Sequence, residues 1–103
     1  MDKELLKNKI IETVQTVFDP EIPVNIWDLG LIYDIQISDK GNVNITMTLT
    51  APSCPAAGTM PVEVDNKVRA LEGVNDVNVM LTWTPKWDKS RMSETAQLEL
   101  GYL

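Results

Sequence analysis

The sequence holds one thiol, Cys54, in the stretch Leu49-Thr50-Ala51-Pro52-Ser53-Cys54-Pro55-Ala56-Ala57-Gly58-Thr59. Pro52 and Pro55 fix their own φ angles and disfavour α geometry in the residue before each. Ala51 and Cys54 are therefore expected to be extended, with the sulfur on a stiff bend. The small residues from Ala56 to Thr59 leave room around it. An apolar run at helical spacing follows. A helix starting just after Cys54 would aim its free N–H groups at the sulfur and favour thiolate, the form that attacks electrophiles or binds soft metals. The competing reading is a small buried hydrophobe, the ordinary fate of a free cysteine.

What surrounds that thiol in the sequence limits its chemistry. One cysteine permits no disulfide within the chain. Histidine is absent, so one chain cannot build a Cys-His or Ser-His catalytic pair. The usual structural zinc sets are out of reach for the same reason. Neither a phosphate-binding G-x-x-x-x-G-K-[ST] nor a G-x-G-x-x-G is present.

The carboxylates that matter lie earlier. Asp19-Pro20-Glu21-Ile22-Pro23 reads as a rigid acidic turn. Asn25 is expected to cap a single helical turn through Asp28, with Gly30 taking the left-handed position after it. On the residues alone, Asp28 reads as a capping or solvated carboxylate, since Asp is enriched in such turns.

A chain of 103 residues, 44% of them hydrophobic, fits one small domain spanning 1–103. The net charge of −6 argues against a nucleic-acid binder and against adsorption to anionic membrane. No apolar run approaches the roughly 20 residues of a membrane span, and the charged N-terminus lacks a signal peptide's apolar centre. The expected compartment is the cytoplasm.

The elements that must position these residues follow from periodicity. Residues 3–18 read as a helix: Leu6, Ile10, Val14 and Val17 recur at three and four, with Leu5, Ile11 and Phe18 widening the stripe. Asp19-Pro20 is expected to stop it. Residues 31–38 alternate as a half-buried strand, with Leu31, Tyr33, Ile35 and Ile37 on one face. A turn at Asp39-Lys40-Gly41-Asn42 leads to a second strand, 43–50, closing an antiparallel hairpin. Met60, Val64, Val68 and Leu71 mark a helix of roughly 57–72, with Glu63 and Lys67 an i, i+4 pair and Gly73 as stop. The third strand, 74–84, puts Val77, Val79, Leu81 and Trp83 on one face. A right-handed crossover makes it parallel to the second. A short last helix to Leu100 is capped by Ser90 or Ser93, and Trp83 and Trp87 are expected to pack under it. The order is α-β-β-α-β-α: an α+β domain with helices on a three-stranded mixed sheet.

Three motifs in this order resemble a known family. Asp19-Pro20-Glu21-Ile22-Pro23-Val24-Asn25-Ile26 with Asp28-Leu29-Gly30-Leu31-Ile32-Tyr33 resembles the opening signature of the SufT/PaaD-like metal–sulfur cluster assembly proteins. Thr50-x-x-x-Cys54-Pro55 resembles their cysteine motif. Trp83-x-Pro85-x-Trp87, then Met92-Ser93, resembles their C-terminal signature. The match runs from about residue 19 to the C-terminus.

The resemblance implies a carrier or maturation factor, not an enzyme, that helps deliver iron–sulfur clusters to client proteins. It implies Cys54, Asp19, Glu21 and Asp28 as functional positions, and iron–sulfur assembly proteins and client apo-proteins as partners. Extra cysteines and a C-terminal zinc-type segment, expected of a phenylacetate-degradation member, are lacking. That favours the general assembly branch over an accessory protein of a ring oxygenase. A cluster usually takes four thiolates and this chain supplies one. Any iron–sulfur cluster is therefore held transiently: across a homodimer axis, with carboxylates completing the set, or in contact with a carrier or client. A thiol enzyme activated by the helix dipole alone is the remaining alternative.

Overall fold

Asp2 opens the first helix by accepting the Glu4 and Leu5 amides at 3.0 and 3.1 Å on its carboxylate. The computed structural model describes residues 2–19, 24–50 and 59–101. The element order is α1 (Lys3–Val14), β1 (Ile32–Ile37), β2 (Asn42–Met47), α2 (Met60–Arg69), β3 (Asp76–Leu81) and α3 (Glu94–Glu99), the expected succession. The sheet order is β1-β2-β3, with β1 antiparallel and β3 parallel to the central strand.

β2 is central, and its Val43, Ile45 and Met47 are fully buried. Leu6, Ile10 and Val14 of α1 join them, as do Met60, Val64 and Val68 of α2. The other sheet face is wet: Asp34, Gln36, Asn44 and Asn78 are exposed on it. At the hairpin, Gly41 adopts φ +82°. A Cβ there would overlap the Gly73 carbonyl, so the turn and the end of the α2–β3 connection meet backbone to backbone. The Asn75 amide seals that contact by donating to the Gly41 carbonyl at 2.8 Å.

Five expectations are corrected. α1 ends at Val14, not 18. Thr13 and Thr16 turn their hydroxyls onto the Lys9 and Thr13 carbonyls, and these β-branched residues close the helix before the proline is reached. Leu5 and Phe18 are both 55% exposed, outside the apolar stripe. In β1 the register slips between Ile32 and Asp34, so Tyr33 is bulged and Ile32 pairs with Met47 beside the core. Trp83 is 42% exposed, and among the described residues it is Trp87, not Trp83, that packs against the core. α2 begins at Met60 rather than 57; residues 57 and 58 lie outside the described residues.

Candidate functional site

The segment before β1 is built as the sequence suggests. The Asn25 side chain accepts the Asp28 amide at 2.9 Å and donates its own amide to the Asp28 carboxylate at 2.8 Å. The Leu29 amide bonds to the Asn25 carbonyl at 3.0 Å, and Gly30 leaves the turn at φ +77°. Asp28 is thus a partly buried carboxylate held in place by its own cap. The preceding loop is closed by a bridge between Phe18 and Asn25 and by the Ile26 amide on the Val17 carbonyl at 2.8 Å. That closure buries Asp19, which is 4% exposed and whose amide faces the Val24 carbonyl at 3.5 Å.

This turn sits at the end of the sheet where β2 finishes. The Thr48 amide donates to the Leu31 carbonyl at 2.8 Å, and the Thr82 amide to the Met47 carbonyl at 2.9 Å. The exits of β2 and β3 and the entry to β1 therefore adjoin. From here the chain runs through Thr50 toward Cys54.

The C-terminal segment locks onto the same end. After the cis Thr84–Pro85 bond, Tyr33 donates its hydroxyl to the Pro85 carbonyl at 2.8 Å. The Trp87 indole N–H reaches the Leu29 carbonyl at 2.7 Å. Asp88 caps a short 3₁₀ turn at Lys89–Arg91, and the Arg91 guanidinium lies 4.5 Å from the Tyr33 ring centre. The Ser93 amide donates to the Asp28 carbonyl at 2.7 Å while its hydroxyl caps α3 by accepting the Ala96 amide. The Asp28-Leu29-Gly30 turn and the Trp87–Ser93 tail are one interlocked unit. Tyr33 and Arg91 belong to it, and periodicity does not single out either: their partners lie more than 50 residues away in sequence.

Of the four expected site residues, Asp19 and Asp28 are described; Glu21 and Cys54 lie outside the described residues. Among the described residues no three carboxylates, thiols or imidazoles gather as a metal-binding set. A cleft of about 500 Å³ between α1 and β1, lined by Lys3, Lys7, Ile11, Ile35 and Ile37, is at the hairpin end, away from this unit. Among the described residues no helix is long and apolar enough to cross a membrane.

Comparison with known proteins gives this architecture its class. Residues 7–81 match the iron–sulfur cluster assembly protein family, and the chain belongs to that family. It is 50% identical, over the full length of both chains, to an Fe-S protein maturation auxiliary factor of Porphyromonas gingivalis. Identity is 39% to the factor YitW of Bacillus subtilis, over 96% of this chain and 97% of that one. A longer iron–sulfur cluster carrier protein of Synechocystis is 30% identical over 84% of this chain, which spans 24% of the carrier. Among solved structures, a domain of unknown function, DUF59, from Bacillus anthracis superposes with a TM-score of 0.89 at 39% identity, covering 97% of this chain and 95% of that one.

Proposed function

We propose that this protein is an accessory factor of iron–sulfur protein maturation that helps pass clusters, as cargo, to client apo-proteins through Cys54. The observation that carries this reading is the convergence of the Asn25–Gly30 turn, the Trp87–Ser93 tail and the exit of β2 at one sheet end. Cys54 follows Thr50 by four residues, a length of chain that reaches no more than about 14 Å. Relatives named as maturation factors and cluster carriers support an accessory role over an enzymatic one.

One thiol does not retain a cluster; a transfer factor gains from that. Cys54 supplies one soft ligand while a carrier or client supplies the rest. Asp28 and Glu21 are the carboxylates assigned to the thiol's surroundings, with Asp19 shaping the turn that presents them. Hard oxygen donors hold a soft cluster poorly, which suits release. Partner-dependent contact is favoured over a homodimer sharing two Cys54 thiols, because each chain needs only a passing ligand. The cytoplasm, where thiols stay reduced, fits this chemistry.

The test is Cys54→Ser. The variant should fold and melt as the parent does, because the exchange removes no core volume. Client iron–sulfur enzymes in cells carrying it should lose activity while their polypeptides remain abundant. Full client activity at normal abundance of the variant would exclude Cys54 as ligand or nucleophile.

A further inference from the structure

β3 is an edge strand, and its outer edge is guarded over only half its length. The Thr82 amide bonds inward to β2, so by the two-residue period of a strand Val77, Val79 and Leu81 direct their backbone N–H and C=O groups outward. At Val77 both are taken: the amide by the Asp76 carboxylate at 2.9 Å, the carbonyl by the Arg69 guanidinium at 2.9 Å. Arg69 is itself fixed by Asp65 and Asp76. Val79 and Leu81 have no such guard, and no hydrogen bond fills their outward groups among the described residues.

The side chains around the open half are apolar and exposed. Met80 is 47% exposed, Leu81 38% and Trp83 42%. On α2, which packs against β3, the stripe that carries Asp65 and Arg69 continues one turn earlier to Val62, 55% exposed. None of these residues is charged. Natural edges are normally blunted by a charge, a proline or a covering segment, and this one first meets a proline at Pro85.

We propose that the Val79–Leu81 edge docks an extended, uncharged apolar segment of another protein, added as a fourth strand. The Arg69 clamp sets where the added strand ends. Main-chain bonds to Val79 and Leu81 hold it, and Met80, Leu81 and Trp83 select apolar side chains at its alternate positions. A second copy of this chain is disfavoured as occupant. Each copy carries a net charge of −6, so two copies repel one another, whereas an uncharged segment meets no such repulsion. The docking edge does not depend on the cluster-transfer reading.

The probe is an acetylated, amidated hexapeptide alternating valine and threonine, added to the full-length protein and followed by amide hydrogen exchange. In the free protein the Val77 amide should be protected and those of Val79 and Leu81 should exchange freely. With peptide, protection at Val79 and Leu81 should rise at least ~10-fold. The same peptide N-methylated at alternate residues should not do this. Val79→Pro, tolerated on an edge because its outward N–H serves no ladder, should abolish binding and leave the amide spectrum otherwise intact. The exchange data on the unaltered protein stand if that variant fails to fold. The proposal is overturned by unchanged exchange with peptide, by equal binding of the N-methylated peptide, or by protection that rises with protein concentration alone, which would assign the edge to a second copy.

Discussion

Gly30 and Arg91 meet backbone to backbone: a Cβ added at Gly30 would overlap the Arg91 carbonyl. The contact joins the turn that holds Asp28 to the tail that closes over it. Gly30 also sits at φ +77°, where a side chain is strained whatever the space. Gly30→Ala should therefore destabilise the fold by more than ~2 kcal/mol, combining the backbone penalty with displacement of the tail. Urea unfolding measures the loss. A loosened tail should also free the Trp87 indole from the Leu29 carbonyl, shifting tryptophan emission to the red before global unfolding. An Ala variant as stable as the parent would mean that the tail is not held by this contact.

Val64 and Val68 are fully buried where α2 crosses the sheet. Val→Ala at either position should cost on the order of 1–3 kcal/mol, since lost burial and the residual cavity add. The chemical denaturation midpoint should fall without a change in slope. Val62→Ala, on the exposed stripe of the same helix, should change stability by less than ~0.5 kcal/mol.

The helix carrying those valines was legible because Met60, Val64 and Val68 repeat at four and Gly73 follows. The end of α1 was not: Leu6, Ile10, Val14 and Val17 keep helical spacing, but Thr13 and Thr16 bond their hydroxyls to the preceding turn and terminate the helix first. The Tyr33 bulge leaves no mark on alternation, because an inserted residue changes the register against β2 and not the local pattern. The motifs of the turn and the tail were visible singly. Their union through Tyr33, Trp87, Arg91 and Ser93 is made by contacts far apart in sequence, which periodicity does not encode. Trp83 illustrates the converse: its place in the alternation suggested burial, but β3 ends at Leu81 and Trp83, beyond it, is exposed.

Two exposed carboxylates give stability a dependence on pH at the acid end. The hydrogen bond from Arg69 holds the Asp76 carboxyl below the usual carboxylate range, with the Val77 amide adding to it; the hydrogen bond from Lys3 does the same for Asp39. A depressed folded value means that the contribution is fully present above the unfolded pKa, about 3.9, and fades as pH falls through the lower folded value. Asp76→Asn keeps an acceptor for the Val77 amide and loses the charge. Its stability deficit should be present near neutrality, vanish in strong acid, and shrink with added salt because the pair is exposed. Urea midpoints of both proteins across the acid range check this. A deficit independent of pH would assign Asp76 a purely steric role.

Asn25 and Asp28 separate a structural from a functional reading of the first signature. Their reciprocal hydrogen bonds at 2.9 and 2.8 Å are those of a helix cap. Asn25→Ala removes both and should cost about 1 kcal/mol, the usual worth of such a cap. Asp28→Asn retains an oxygen to accept from Asn25 and discards the charge, so its melting temperature should stay close to the parent's. If Asp28 serves only the turn, client iron–sulfur enzymes should mature normally with the Asn variant. If its carboxylate works beside Cys54, maturation should fall in a protein that remains fully folded, while Asn25→Ala, destabilised but still carrying the carboxylate, should support more client activity than Asp28→Asn. The proposed role predicts the second pattern. Cells carrying each variant at matched abundance, assayed for one client enzyme, decide between them.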